Sequence, residues 1–134
     1  MHLHTKERLE LIKGRLHKMP PAPGLAHQRF LQKIYLELEE EYRTNDQLEI
    51  FVAPFDVYFN EQTVVQPDVC ICHIDQLYEK GCEGAPVLVV EIVSPSSKKK
   101  DEVEKRALYE EHRVKAYWLA YPDHQKIEKL DFGG

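Results

Sequence analysis

Apolar and polar positions along the chain fall into a few distinct periodicities. Residues 9–17 make two short β-type runs on either side of Gly14, the pattern of a hairpin. Met19-Pro20-Pro21-Ala22-Pro23-Gly24 predicts a stiff connector. Between Leu25 and Tyr42 the period changes. Leu31, Ile34, Tyr35, Leu38 and Tyr42 recur at helical spacing, while Glu37, Glu40 and Glu41 cover much of the other side. The spacing predicts a long amphipathic helix, ended by Asn45-Asp46. Residues 48–59 are β-rich, with Phe55, Val57 and Phe59 alternating against Asp56 and Tyr58. Pro54 marks a bulge or an edge position there.

Residues 64–73 give the next strand region, 75–78 one helical turn and 81–86 a loop. Residues 87–93 form the most apolar run of the chain and predict a central strand. Ser94-Pro95-Ser96-Ser97 breaks it and offers an N-terminal cap to a second helix over 99–113. Residues 116–121 are a strand stopped by Pro122-Asp123, and 126–132 are the last one. The order is a β-hairpin followed by α-β-β-β-α-β-β, a mixed α/β sheet flanked by helices. The 134 residues suit one domain, with no repeat and no low-complexity segment.

Composition narrows the function classes. A hydrophobic content of 43% supports a core and excludes a disordered chain. A net charge of -5 excludes a generic nucleic-acid binder, so attraction to phosphate needs local basic clusters. No run approaches the ~20 apolar residues of a membrane span. The polar start, residues 1–8, is unlike a signal peptide, so a cytoplasmic location is the expectation. Cys70, Cys72 and Cys82 are odd in number and lack zinc-site spacing, which predicts thiols in or near the core.

The chemistry centres on two acids. On the 87–93 strand Val87, Val89, Glu91 and Val93 point one way, and Leu88, Val90 and Ile92 the other. Both faces are apolar, so both should be covered. A carboxylate there is costly unless it is paired or binds something. Asp68, after Pro67, opens an earlier β-type run. Two such acids on neighbouring strands would make a divalent-metal site. The structural alternative is a buried Glu91 paired with a Lys or Arg, and an Asp68 that simply starts a strand.

Several segments in order carry a resemblance: 65–69 around Pro67-Asp68, 86–96 around Glu91, Asp101 with Lys105 and Tyr109, and 114–119. Upstream, 11–16 and His27-Gln28 fit the same pattern. Together they resemble the Uma-type family of putative bacterial restriction endonucleases, of the PD-(D/E)XK nuclease superfamily, over residues 9–131. The resemblance implies a restriction-endonuclease-like core in which Asp68 and Glu91 converge on one Mg²⁺ or Mn²⁺. Hard oxygen ligands suit those ions, and the carbonyl of Ile92 could add another. A metal-bound water would then attack a DNA phosphodiester.

The sequence departs from the superfamily pattern two residues after the Glu. Val93 stands where a lysine is expected. In the Uma-type family a lysine on the following helix looks like the replacement, and the matching residue is Lys105. At ~100° per residue, Asp101, Lys105, Leu108 and His112 share one side of that helix. Two readings stay open: Lys105 faces the site, with Asp101 orienting it and Tyr109 packing beside it, or it is solvated and paired with Asp101. His27 is either a structural histidine or a cleft residue, and Asp56 is a further candidate cleft acid. Lys98, Lys99 and Lys100 are a solvated turn or a contact to the nucleic-acid backbone. Tyr117 and Trp118 read as core. The triplet Asp131-Phe132-Gly133 copies a kinase motif by chance.

The leading expectation is a Mg²⁺-dependent endonuclease acting on DNA, as a homodimer. The alternatives are a non-catalytic nucleic-acid-binding or regulatory module on a nuclease scaffold, and a protein-interaction domain.

Overall fold

Two β-type runs that the sequence presents as continuous each cross from one sheet to another, and the site forms beside those crossings. The computed structural model describes residues 8–20 and 24–133. Part of the proline-rich connector, residues 21–23, and most of the charged start therefore lie outside the described residues. The hairpin is β1 (Leu9–Ile12) and β2 (Arg15–Lys18). Next come α1 (Leu25–Tyr42), β3 (Leu48–Val52), β4 (Val57–Asn60), β5 (Thr63–Val65) and β6 (Val69–His73). After a 3₁₀ turn follow β7 (Leu77–Tyr78), β8 (Gly81–Glu83) and β9 (Leu88–Ile92). A π turn (Lys100–Glu104) runs into α2 (Lys105–Glu111), and β10 (Ala116–Tyr121) and β11 (Lys126–Asp131) end the series.

The expected single sheet is two. One has the order β2-β1-β5-β4-β8-β7, and the other β11-β10-β9-β6-β3. The run 48–59 divides at Pro54, leaving β3 in the second sheet and β4 in the first. The run 64–73 divides at Pro67 in the opposite direction. Proline has no N–H for the ladder, so a strand that reaches one is free to leave its sheet there. The two crossings touch, with Ala53 N–H donating to the Asp68 carbonyl at 3.1 Å. The stretch 81–86, expected as loop, holds β8, whose Cys82 pairs with Val57 of β4 and Leu77 of β7.

β9 lies inside the second sheet, antiparallel to β6 and parallel to β10. Its alternation is as the sequence predicts. Leu88, Val90 and Ile92 pack with Phe30, Ile34 and Leu38 of α1. Phe30, rather than Tyr35, completes the buried stripe of that helix. Val89 and Val93 belong to the opposite cluster, with Val57, Val65, Leu108, Tyr109 and Tyr117. This side is covered by α2 and the first sheet together. The three cysteines are free thiols buried in that cluster. Tyr117 is fully buried, whereas Trp118 is half-buried with the Lys129 ammonium 4.3 Å above its ring. Among the described residues no helix is long and apolar enough to cross a membrane.

Candidate active site

The buried charged side chains of the described chain are Glu10, Glu91, Asp101 and Lys105, and all four line one cleft of about 630 Å³. Asp68, Ile92, His27, Ser97, Lys100 and Arg8 also line it. A charge withdrawn from water costs several kcal/mol unless compensated. Four of them in one place therefore mark where this fold departs from simple packing.

Asp68 and Glu91 hold each other through the backbone. Ile92 N–H donates to Asp68 Oδ2 at 2.7 Å, and Asp68 N–H donates to Glu91 Oε1 at 3.3 Å. The pairing of β6 with β9 makes this reciprocity, since Val69 stands opposite Val90. Asp68 sits one residue before β6, at the crossing, where the second sheet opens toward the hairpin.

The other Glu91 oxygen, Oε2, accepts from Lys105 Nζ at 2.9 Å and from the Tyr109 hydroxyl at 2.7 Å. Lys105 is 4% exposed, so the solvated reading gives way. Its ammonium also lies 3.0 Å from each oxygen of Glu10. Asp101 is buried beside them, and its carboxylate accepts from the Ser97 hydroxyl at 2.7 Å.

The π turn before Lys105 has a visible cause. The Asp101 carbonyl, which an α-helix would offer to the Lys105 N–H, accepts instead from the Tyr117 hydroxyl at 2.8 Å. Lys105 N–H donates one residue further back, to Lys100. Such turns occur often at functional sites.

Electrostatics follow from the crowding of acids. Burial raises the Glu91 carboxyl above its ordinary range, opposed by Lys105 and reinforced by Asp68. Burial likewise raises Asp101, against Lys105 and Ser97. Burial works against the charge on Lys105, but Glu91, Glu10 and Asp101 outweigh it and its pKa is raised. Lys105 is therefore an ammonium. The Tyr109 phenol is pushed well up by burial and by Glu91, so it donates.

The remaining candidates separate. His27, in the first turn of α1, places Nε2 3.5 Å from Asp68 Oδ1, while its buried Nδ1 has no hydrogen-bond partner among the described residues. Asp56 is not part of the cleft lining. Its carboxylate accepts from Gln66 Nε2 at 2.8 Å and from the Tyr58 hydroxyl at 3.3 Å. Its carbonyl lies so close to Gly81 that no Cβ fits there. Of the three lysines, Lys100 lines the cleft, Lys98 lines a neighbouring groove with Arg106 and Tyr121, and Lys99 is exposed.

Glu10 is the residue that sequence reasoning missed. In Leu9-Glu10-Leu11-Ile12 it reads as the polar face of a hairpin. Its one signal was position, immediately before the 11–16 segment that carries the resemblance.

Among the described residues no three His, Cys, Asp or Glu side chains are arranged to cage a metal. The Asp68 and Glu91 carboxylates are the donor type that suits a hard cation keeping much of its own water, as Mg²⁺ does. They do not fit zinc, which takes three or four protein ligands.

The family model Uma2, described as "Putative restriction endonuclease", matches residues 1–130. A solved structure described as a putative nuclease belonging to DUF820, from Anabaena variabilis ATCC 29413, is similar with a TM-score of 0.73. The match covers 97% of this chain and 80% of that one at 18% identity, which is a likeness of fold. No curated protein matches the sequence. Two mixed sheets with few helices are thus a nuclease fold, consistent with a restriction-endonuclease-like core. With 130 of its 134 residues matched, the chain belongs to the Uma2 family.

Proposed function

We propose that the cleft is the active site of a divalent-cation-dependent endonuclease acting on DNA phosphodiesters. The carrying observation is the Lys105 ammonium 2.9 Å from Glu91, which supplies from α2 the cation that Val93 cannot. The chemistry needs an ammonium near the reacting phosphate, whatever backbone it comes from.

Asp68 and Glu91, with the Ile92 carbonyl, would hold Mg²⁺ or Mn²⁺. Such a cation supplies positive charge at the phosphate and makes water more acidic. The chain's own residues do the rest. Tyr109 and Lys105 fix the orientation of Glu91 through Oε2 and leave Oε1 toward Asp68. Lys105 offsets charge developing on the phosphate. His27 sets its Nε2 beside Asp68, where the ring can steady that carboxylate. Lys100 on the rim, with Lys98 and Lys99 next to it, engages the DNA backbone.

Plasmid and single-stranded DNA incubated with Mg²⁺, Mn²⁺ or EDTA test this reading. The expected result is metal-dependent nicking, lost in Asp68→Ala, Glu91→Ala and Lys105→Ala. Nicking that all three variants retain overturns the site. Retention of DNA without cleavage under either metal favours the non-catalytic binding module instead.

A further inference from the structure

We propose that Glu10 is a positioning residue of the active site, holding the Lys105 ammonium in place when Glu91 engages a divalent cation. The inference rests on the endonuclease reading and extends the site to the N-terminal hairpin, 95 residues away in sequence from Lys105. Three observations converge. Glu10 is 2% exposed, so its carboxylate has no solvent to face. Both its oxygens lie 3.0 Å from Lys105 Nζ, matching the 2.9 Å contact to Glu91. Oε2 also accepts from Gln66 N–H at 2.8 Å, two residues before Asp68. One carboxylate therefore ties the lysine and the strand crossing that carries Asp68 to the same point.

The physical consequence concerns competition. A buried ammonium keeps its charge only while partnered. With Glu91 as its one hydrogen-bonded carboxylate, Lys105 would occupy the group that a metal ion needs. With Glu10 present, the ammonium keeps a full partner while Glu91 turns its charge to the cation. Glu10 thus supports metal binding without touching the metal.

The test is a double-mutant cycle on the full chain, read by Mn²⁺ binding with the ion alone in electron paramagnetic resonance titrations. Glu10→Gln keeps the shape and the acceptor for Gln66 but drops the charge. It is expected to weaken Mn²⁺ binding about tenfold, the scale seen when a partner of a metal-binding residue is removed. The kcat for plasmid nicking should fall by a similar factor, with the KM for DNA within about twofold. In a Lys105→Met background, Glu10→Gln should change Mn²⁺ affinity less than about threefold, because the residue it acts through is gone. An equal loss in both backgrounds, or no loss in either, overturns the proposal. If circular dichroism shows Glu10→Gln unfolded, Glu10→Asp enters the same cycle under the same criterion. Wild-type protein that binds Mn²⁺ but leaves DNA intact overturns the endonuclease reading, while the Mn²⁺ cycle still decides on Glu10. Wild-type protein that binds no Mn²⁺ overturns both.

Discussion

On one face of β9, Leu88, Val90 and Ile92 meet Phe30, Ile34 and Leu38 of α1; on the other, Val89 and Val93 flank Glu91. Glu91 and its neighbour Ile92 are each 4% exposed, so the two faces are equally dry. They differ in what the dryness does. On the α1 face it stabilises the fold by removing apolar area from water. On the α2 face it strips water from carboxylates and an ammonium, so each depends on the others. A strand can thus serve packing and chemistry at once, provided that alternation sends the two to opposite sides.

Substitutions should separate the faces. Lys105→Ala leaves Glu10 and Glu91 buried without their cation, and should cost ~3–5 kcal/mol in urea denaturation while abolishing nicking. Lys105→Met combined with Glu10→Gln and Glu91→Gln should regain much of that stability without activity, because the ammonium and both carboxylates that touch it go together. A triple variant no more stable than Lys105→Ala would show that the network is not an electrostatic unit. Leu88→Ala, on the α1 face, should cost ~2–5 kcal/mol and leave turnover per folded molecule unchanged. Lost turnover in that variant would mean the faces are coupled. Tyr109→Phe removes one hydrogen bond to Glu91 and should cost ~1.5–3 kcal/mol in the same denaturation measurement. Lys100→Ala should have the smallest effect, lowering the slope of log affinity for DNA against log salt by about one.

The sequence made one face more legible than the other. The apolar run of β9 and the helical spacing of α1 have a single physical reading, and both elements lie where expected. Asp68 and Glu91 were visible because acids at strand positions are conspicuous. The lysine was harder, since facing the sheet and facing solvent suit the same periodicity; packing decided it. Glu10 was hidden because alternation in a hairpin does not say which side another element will cover. The two-sheet division was hidden for a related reason. Prolines 54 and 67 announce interruptions, but β4 with β8 is a pairing between segments far apart, set by the whole fold. Asp56 was misplaced for want of that topology, because the crossing turns its side chain toward Gln66 and Tyr58.

The π turn before α2 has a consequence for comparing relatives of this chain. Because the Asp101 carbonyl belongs to Tyr117, residues 100–104 hold one residue more than an α-helical turn requires. The place of Lys105 in the cleft is therefore set by a count as much as by identity. A relative that lacks the hydroxyl at position 117 and one residue of this segment could present the same ammonium from a regular helix. An alignment that closes that gap by similarity alone would then pair Lys105 with the wrong residue.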